Sequence, residues 1–133
     1  MYLFDTNIFL EILLDQTEAE SCQRALNRID EIRPGWVTSY SIHAIESILA
    51  RVRKDQEITV RFLQGLANNR LFFRYDTTLE EEAEIARLTQ GLKLDFDDSL
   101  QYYVAKKEGL ILVTLDRDFQ KVSDIEVVSP KNL

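Results

Sequence analysis

Residues 95–118 read DFDDSLQYYVAKKEGLILVTLDRD, and they join a helical pattern to the clearest buried strand of the chain. The first half of this stretch predicts a helix, because three acids precede a long segment without breakers and Gly109 follows it. Acids in a first helical turn are stabilised by the macrodipole, and glycine is common just beyond a helix end. The apolar residues 110–113 then predict a short, fully buried strand.

The same alternation of short apolar runs and longer helical patterns extends over the rest of the chain. The predicted strands are residues 2–4, 36–38, 71–73, 110–113 and 125–128. The predicted helices are residues 7–14, 18–32, 41–54, 56–67, 78–91 and 97–107. This alternation predicts an α/β fold with a mainly parallel sheet, and 133 residues suit one domain over 1–133.

The net charge and the cysteine content exclude several classes of protein. A net charge of −7 argues against a protein that holds nucleic acid mainly by neutralising phosphates. The single cysteine, Cys22, cannot form an internal disulfide, and no apolar run is long enough to span a bilayer. Residues 1–5 lack a basic leader, so we expect a cytoplasmic protein with no membrane partner.

Acidic side chains follow two of the predicted strands directly. Asp5 comes after the first strand, and Asp116 follows residues 110–113 by way of Thr114. Ligands of open α/β sheets bind beyond the carboxyl ends of strands, near a switch in strand order. For either acid alone, capping of the next turn is as good an explanation as a ligand site. Two such positions together favour a site.

Two further acids lie on predicted helices. Glu46 borders an apolar stripe, where it could serve the site or pair with Arg53. Asp98 follows Asp95 and Asp97, and three acids in one turn exceed what capping needs. We therefore expect Asp98 to face a partner, and Asp95 to cap the helix.

Convergence of Asp5, Glu46, Asp98 and Asp116 would create a like-charge cluster. Two carboxylates about 4 Å apart repel by roughly 4 kcal/mol at an effective dielectric of 20, so protons or cations must relieve them. A ligand set of oxygens without cysteine suits Mg²⁺ or Mn²⁺ rather than zinc. One or two such ions would make an acidic site able to receive phosphodiesters.

The sequence resembles the PIN-domain ribonucleases, especially the VapC-type toxins of toxin–antitoxin pairs. Five segments carry the resemblance in the right order: residues 3–8, 39–49, 98–109, 112–119 and 127–130. The first holds an Asp-Thr-Asn signature, and the fourth holds a Thr-x-Asp-x-x-Phe turn. The resemblance implies a PIN-like three-layer α/β/α sandwich and a metal-dependent endoribonuclease activity. It also implies a cognate antitoxin and frequent homodimers.

Carried over by position, the resemblance implies that four acids are the catalytic and metal-binding residues: Asp5, Glu46, Asp98 and Asp116. It assigns supporting roles to three polar residues, Thr6, Asn7 and Thr114. The choice of Asp98 rests on the Ser-Leu pair that follows it directly. Whether Asp97 or Asp118 assists is left open by the sequence.

Two rival functions remain. A Mg²⁺-dependent phosphatase or phosphoacceptor domain also places aspartate at strand ends, but Thr6 and Asn7 follow Asp5 without a second acid. A catalytically silent PIN-like module that binds RNA or protein could have lost members of the quartet, whereas all four positions are filled.

Several other residues have ordinary explanations. His43 is predicted on the surface, Cys22 as a small buried residue, and Tyr102 and Tyr103 in core packing. The basic run at residues 51–54 is explained by compensation of a helix dipole, with a phosphate clamp as the alternative.

Overall fold

The structure is a computed structural model, and it describes residues 1–53 and 55–133. The strands are β1 (Tyr2–Phe4), β2 (Gly35–Thr38), β3 (Phe72–Tyr75), β4 (Ile111–Val113) and β5 (Val127–Val128). The helices are α1 (Thr6–Leu13), α2 (Ala19–Leu26), α3 (Ser39–Val52), α4 (Gln56–Asn68), α5 (Leu79–Leu92) and α6 (Phe96–Glu108). Short 3₁₀ turns cover Arg117–Lys121 and Pro130–Asn132. Lys54, which ends one predicted helix and the basic run, lies outside the described residues.

The five strands form one sheet in the order β3-β2-β1-β4-β5, and every described pair is parallel. From β1 the chain builds outward through β2 and β3, and it then returns to the other side of β1 with β4. The strand order therefore switches between β1 and β4. Phe4 pairs with Val113 at that point, so the carboxyl ends of both strands finish side by side.

The sheet is buried on both faces, as the apolar strands predict. Successive side chains of a strand point to opposite faces. Phe4 packs in a core with residues of α1, α2 and α3, whereas Leu3 packs with residues of α5 and α6. The predicted α/β fold with two helical layers around a parallel sheet is confirmed.

Some element bounds differ from the sequence prediction. The second helix ends at Leu26 rather than near residue 32, because the Asp30 carboxylate accepts from the backbone N–H groups of Ile32 and Arg33. Such local side-chain bonds compete with helix formation. The fifth helix runs one residue past Gly91 and ends where Lys93 takes a left-handed φ of 56°.

Both predicted helix starts are confirmed, with a capping box on α5 and Asp95 as the N-cap of α6. Among the described residues, none of the helices has the length and apolarity required for a membrane span.

Candidate active site

The crevice beyond the carboxyl ends of β1 and β4 holds the acids that follow these strands. The Asp5 backbone N–H donates to the Val113 carbonyl at 3.0 Å, so the sheet ladder continues into the site. Asp5 is 6% exposed, and Thr114 beside it is also buried. The crevice therefore lies at the switch in strand order, where open α/β sheets bind ligands.

The Asp5 carboxylate is held by four donors. Oδ1 accepts from the Thr6 backbone N–H at 2.7 Å and from Gln101 Nε2 at 3.4 Å. Oδ2 accepts from Thr114 Oγ1 at 2.7 Å and from Asn7 Nδ2 at 3.3 Å. Thr6, Asn7 and Thr114, which the sequence assigns as supporting groups, thus all contact Asp5.

Asp116 is fixed by its own backbone. Its N–H donates to Thr114 Oγ1 at 3.0 Å, and its carboxylate caps the following 3₁₀ turn by accepting from the Asp118 N–H at 2.9 Å. Thr114 consequently contacts both acids at the strand ends. These bonds define the orientation of Asp116 and bring Asp118 into the same crevice.

Three carboxylates crowd at this point. One oxygen each of Asp98, Asp116 and Asp118 lies within 4.8 Å of the other two. Asp98 is brought there by the first turn of α6, and the two others by the turn after β4. The structure thus brings Asp98 and Asp116 together as predicted, beside Asp5, and adds Asp118.

The pKa values reflect burial and mutual repulsion. Burial, together with the charges of Asp95, Asp116 and Asp5, raises the pKa of Asp98 from 3.8 to about 7. Burial also raises the pKa of Asp5, with smaller contributions from Asp116 and Asp97, although its hydrogen bonds oppose the shift. Like charges in a desolvated crevice favour either a bound proton or a cation.

The donor set fits a divalent cation. The three clustered ligand atoms are carboxylate oxygens, and neither histidine nor cysteine joins them among the described residues. Hard oxygen ligands of this kind suit Mg²⁺ or Mn²⁺. A cation would also replace the proton that the raised pKa of Asp98 indicates.

Glu46 is not one of the clustered acids among the described residues. It is half-buried and lines a cavity with His43 of α3 and with Phe73 and Arg74 of β3. Ser41 of α3 accepts from Gln101 beside Asp5, and Glu46, five residues further along the helix, is rotated from it by about 140° and shifted by about 7.5 Å. None of the described contacts joins Glu46 to the three aspartates. Its role as a ligand therefore stays a prediction.

The other acids of the α6 start have different surroundings. The Asp95 carboxylate accepts from the Asp98 N–H at 3.0 Å, which accounts for Asp95 as a cap. Asp97 faces Tyr40, whose pKa is raised by burial and by the interaction with Asp97. The negative charge of Asp5 also contributes to the raised pKa of Tyr40, so Asp97 and Tyr40 lie at the border of the crevice.

Two buried polar residues of the site were missed by sequence reasoning. Gln101 and Ser41 are 1% and 0% exposed, and both belong to the network around Asp5. A signal was present for Gln101, because it is a polar residue among the apolar side chains of α6. A buried amide requires partners, which its own helix does not supply.

Three of the residues given ordinary explanations lie where the sequence predicts them. His43 is exposed, and Tyr102 packs in the core at 5% exposure. Cys22 is a free, buried cysteine, and burial raises the pKa of its thiol to about 11.

Comparison with known proteins places this geometry in context. The family model described as PIN domain matches residues 2–125. Comparison of the sequence with curated proteins gives no match. The fold is similar to a chain of a toxin–antitoxin complex from Klebsiella pneumoniae, with a TM-score of 0.75, 21% identity and 100% of both chains covered.

Two further solved structures share the fold. One is VapBC2 from Rickettsia felis, bound to a DNA fragment from the promoter (TM-score 0.76, 15% identity, 96% of this chain and 97% of that chain covered). The other is VapC20 from Mycobacterium tuberculosis, described as a Sarcin-Ricin loop cleaving toxin (TM-score 0.77, 14% identity, 95% and 99% covered).

Proposed function

Because this chain belongs to the PIN-domain family, we propose that it is a divalent-metal-dependent endoribonuclease that hydrolyses RNA phosphodiester bonds. The observation that carries the proposal is the cluster of Asp98, Asp116 and Asp118 beside buried Asp5, at the switch point of the sheet. Crevice carboxyls whose pKa is raised, as it is for Asp98 and Asp5, are typical of functional sites.

We assign the metal ligands from this cluster. Asp5, Asp98 and Asp116 are three of the four ligands that the family resemblance implies, and Asp118 is a further acid within reach. One or two Mg²⁺ or Mn²⁺ ions are the proposed cofactors. A divalent ion, when bound, polarises the phosphodiester and stabilises the negative charge that develops during hydrolysis. Glu46 remains an alternative fourth ligand.

The chain itself orients the acids. Thr114 donates to Asp5 and accepts from the Asp116 N–H, so it fixes the two strand-end acids relative to each other. Asn7 donates to Asp5 and accepts from the Leu115 N–H at 3.3 Å, which ties α1 to the turn after β4. Preorganised carboxylates need no rearrangement during the reaction.

The charge of the chain agrees with this assignment. At −7 the protein would repel RNA, whereas cations held by the cluster give the phosphodiester a positive target. Arg117 lies exposed beside Asp116, and no ion pair engages it among the described residues. It offers a phosphate contact next to the acids.

The test is cleavage of a labelled RNA pool by the purified protein in Mn²⁺, with EDTA as the control. We expect cleavage only with metal, and a loss of at least about a hundredfold in rate for Asp98→Asn, because a charged ligand is removed. The matched variant is Asp95→Asn in the same turn. Asparagine caps a helix nearly as well as aspartate, so Asp95→Asn keeps its fold and most of its activity.

Other outcomes would select a rival function. An inactive Asp95→Asn together with a fully active Asp98→Asn would show that the wrong acid was chosen. Hydrolysis of a phosphomonoester without RNA cleavage would favour the phosphatase. Binding of RNA or protein without any hydrolysis would favour the silent module.

We also propose a cognate antitoxin protein, a homodimeric assembly and a cytoplasmic location. The solved relatives described above include toxin–antitoxin complexes. The chain exposes apolar side chains on neighbouring elements, namely Val52 (60%), Val60 (41%) and Phe73 (48%), and such a surface suits a protein partner. Co-purification of a small protein with the tagged chain from its source tests the antitoxin, light scattering of the purified chain tests the dimer, and cell fractionation tests the location. A chain that is monomeric and captures no partner under all conditions would contradict the first two assignments.

A further inference from the structure

Gln101 is a polar residue in the buried face of α6. It is 1% exposed and sits between Leu100 and Tyr102 in sequence, both of which pack into the core. Burying an amide is unfavourable unless it is hydrogen bonded. An apolar side chain would fill this position without the free-energy cost of burying an amide. The contacts of the amide should therefore explain its presence.

The amide of Gln101 reaches two other elements. Nε2 donates to Ser41 Oγ at 2.6 Å and to Asp5 Oδ1 at 3.4 Å. Ser41 Oγ also lies 2.8 Å from Thr6 Oγ1 and 3.1 Å from Thr38 Oγ1. This network joins α6, α1, α3 and the carboxyl ends of β1 and β2.

The position of Gln101 on α6 gives the network a role in the spacing of the acids. Gln101 follows Asp98 by three residues, which is almost one helical turn, or about 4.5 Å along the axis. The hydrogen bond from Gln101 to Asp5 therefore holds α6 at a point that lies about one turn from Asp98. These acids have 92 intervening residues in the chain, so their spacing is set by tertiary contacts, and this bond is the one that joins α6 to Asp5 itself.

The unpaired atom of the amide supports one orientation. Gln101 Oε1 is buried and has no hydrogen-bond partner among the described residues. Rotating the amide by 180° would place this acceptor against the Asp5 carboxylate, which can only accept when ionised. The charge of Asp5 thus orients the amide, although one acceptor stays unpaired.

We propose that Gln101 is a positioning residue, whose amide holds the Asp5 carboxylate and sets α6 so that Asp98 and Asp5 act on the same divalent cation. The inference rests on the proposed function. Residues that hydrogen bond to a ligand, without touching the metal, typically change metal affinity or activity by 10- to 100-fold when removed.

The test is Gln101→Met in the full chain, because methionine fills a similar volume without an amide. We expect the Kd for Mn²⁺, measured by calorimetry, to rise by about 10-fold or more, and kcat for RNA cleavage to fall by a similar factor. KM for RNA should change by less than about twofold, since Gln101 is buried away from substrate. Ser41→Ala, which removes the shortest bond of Gln101, should act in the same direction with a smaller effect.

The control is Tyr102→Phe on the next residue of α6. It removes a hydrogen bond of 2.7 Å that the buried Tyr102 side chain donates to Asp124. Neither residue contacts the acids of the candidate active site among the hydrogen bonds described above. The melting temperature of this variant should fall while its Mn²⁺ affinity and kcat stay at the wild-type values.

Three results would overturn the inference. If Gln101→Met lowers only the melting temperature, as Tyr102→Phe does, Gln101 has a structural role alone. If Gln101→Met fails to fold, wild-type Mn²⁺ affinity and kcat in folded Ser41→Ala would overturn it. If the wild type binds no Mn²⁺ and cuts no RNA, the proposed function fails and this inference with it.

Discussion

Replacing Asp98 by asparagine should stabilise the metal-free protein at high pH. The pKa of Asp98 is about 7 in the folded chain against 3.8 for a free aspartate side chain, because burial and three neighbouring acids favour the protonated form. A carboxyl with a raised folded pKa binds its proton more tightly when folded. Its contribution to stability is present below about pH 4 and is lost as the pH rises through 7.

The size of the effect follows from the shift. Three pKa units correspond to about 4 kcal/mol, and solvent screening of this half-exposed group reduces the figure to about 2 kcal/mol. For a chain of this length that is a rise in melting temperature of about 8 °C. Asparagine has nearly the same shape and no charge, so it removes the repulsion without opening a cavity.

The assay is thermal unfolding of wild type and Asp98→Asn in EDTA, at pH 4 and at pH 8. We expect nearly equal melting temperatures at pH 4 and a more stable variant at pH 8. Asp124→Asn is the control of opposite sign, because hydrogen bonds from Lys106 and Tyr102 lower the pKa of Asp124. Removing its charge should lower the melting temperature at pH 8. A gain for Asp98→Asn that is the same at both pH values would refute the electrostatic reasoning.

Two further predictions concern the metal. Saturation with Mn²⁺ at about 100 times its Kd should stabilise the wild type by about 2.7 kcal/mol and raise its melting temperature. The double variant Asp5→Asn, Asp116→Asn should lose most of this rise. A rise as large as in the wild type would show that the ion binds at another site. Asp118→Asn should weaken Mn²⁺ binding by about 10-fold in calorimetry, whereas Glu46→Gln should leave it within about twofold, since Asp118 and not Glu46 lies with the clustered oxygens. The reverse ranking would return Glu46 to the ligand set.

The class of fold and the site acids nearest the strand ends could be predicted from the sequence because local rules govern them. A run such as residues 110–113 is short, apolar and flanked by turn residues, so its pattern specifies a buried strand without knowledge of its neighbours. Asp5 and Asp116 follow such strands directly, and parallel strands bring their carboxyl ends to one edge of the sheet. Asp95 is the N-cap because its side chain bonds within its own turn.

The remaining features depend on contacts between segments that are distant in sequence. Glu46 and Ser41 lie on the same helix, and only the packing of α3 against the sheet determines that Ser41 joins the hydrogen-bond network around Asp5. Helical periodicity gives the relative rotation of two residues but not the absolute direction of either. Gln101 meets Asp5 across 95 intervening residues, and Asp118 joins Asp98 through the turn after β4. The sequence alone thus determined the sheet and its strand-end acids, whereas the tertiary structure decided which side chains surround them, because helix orientation is set by packing.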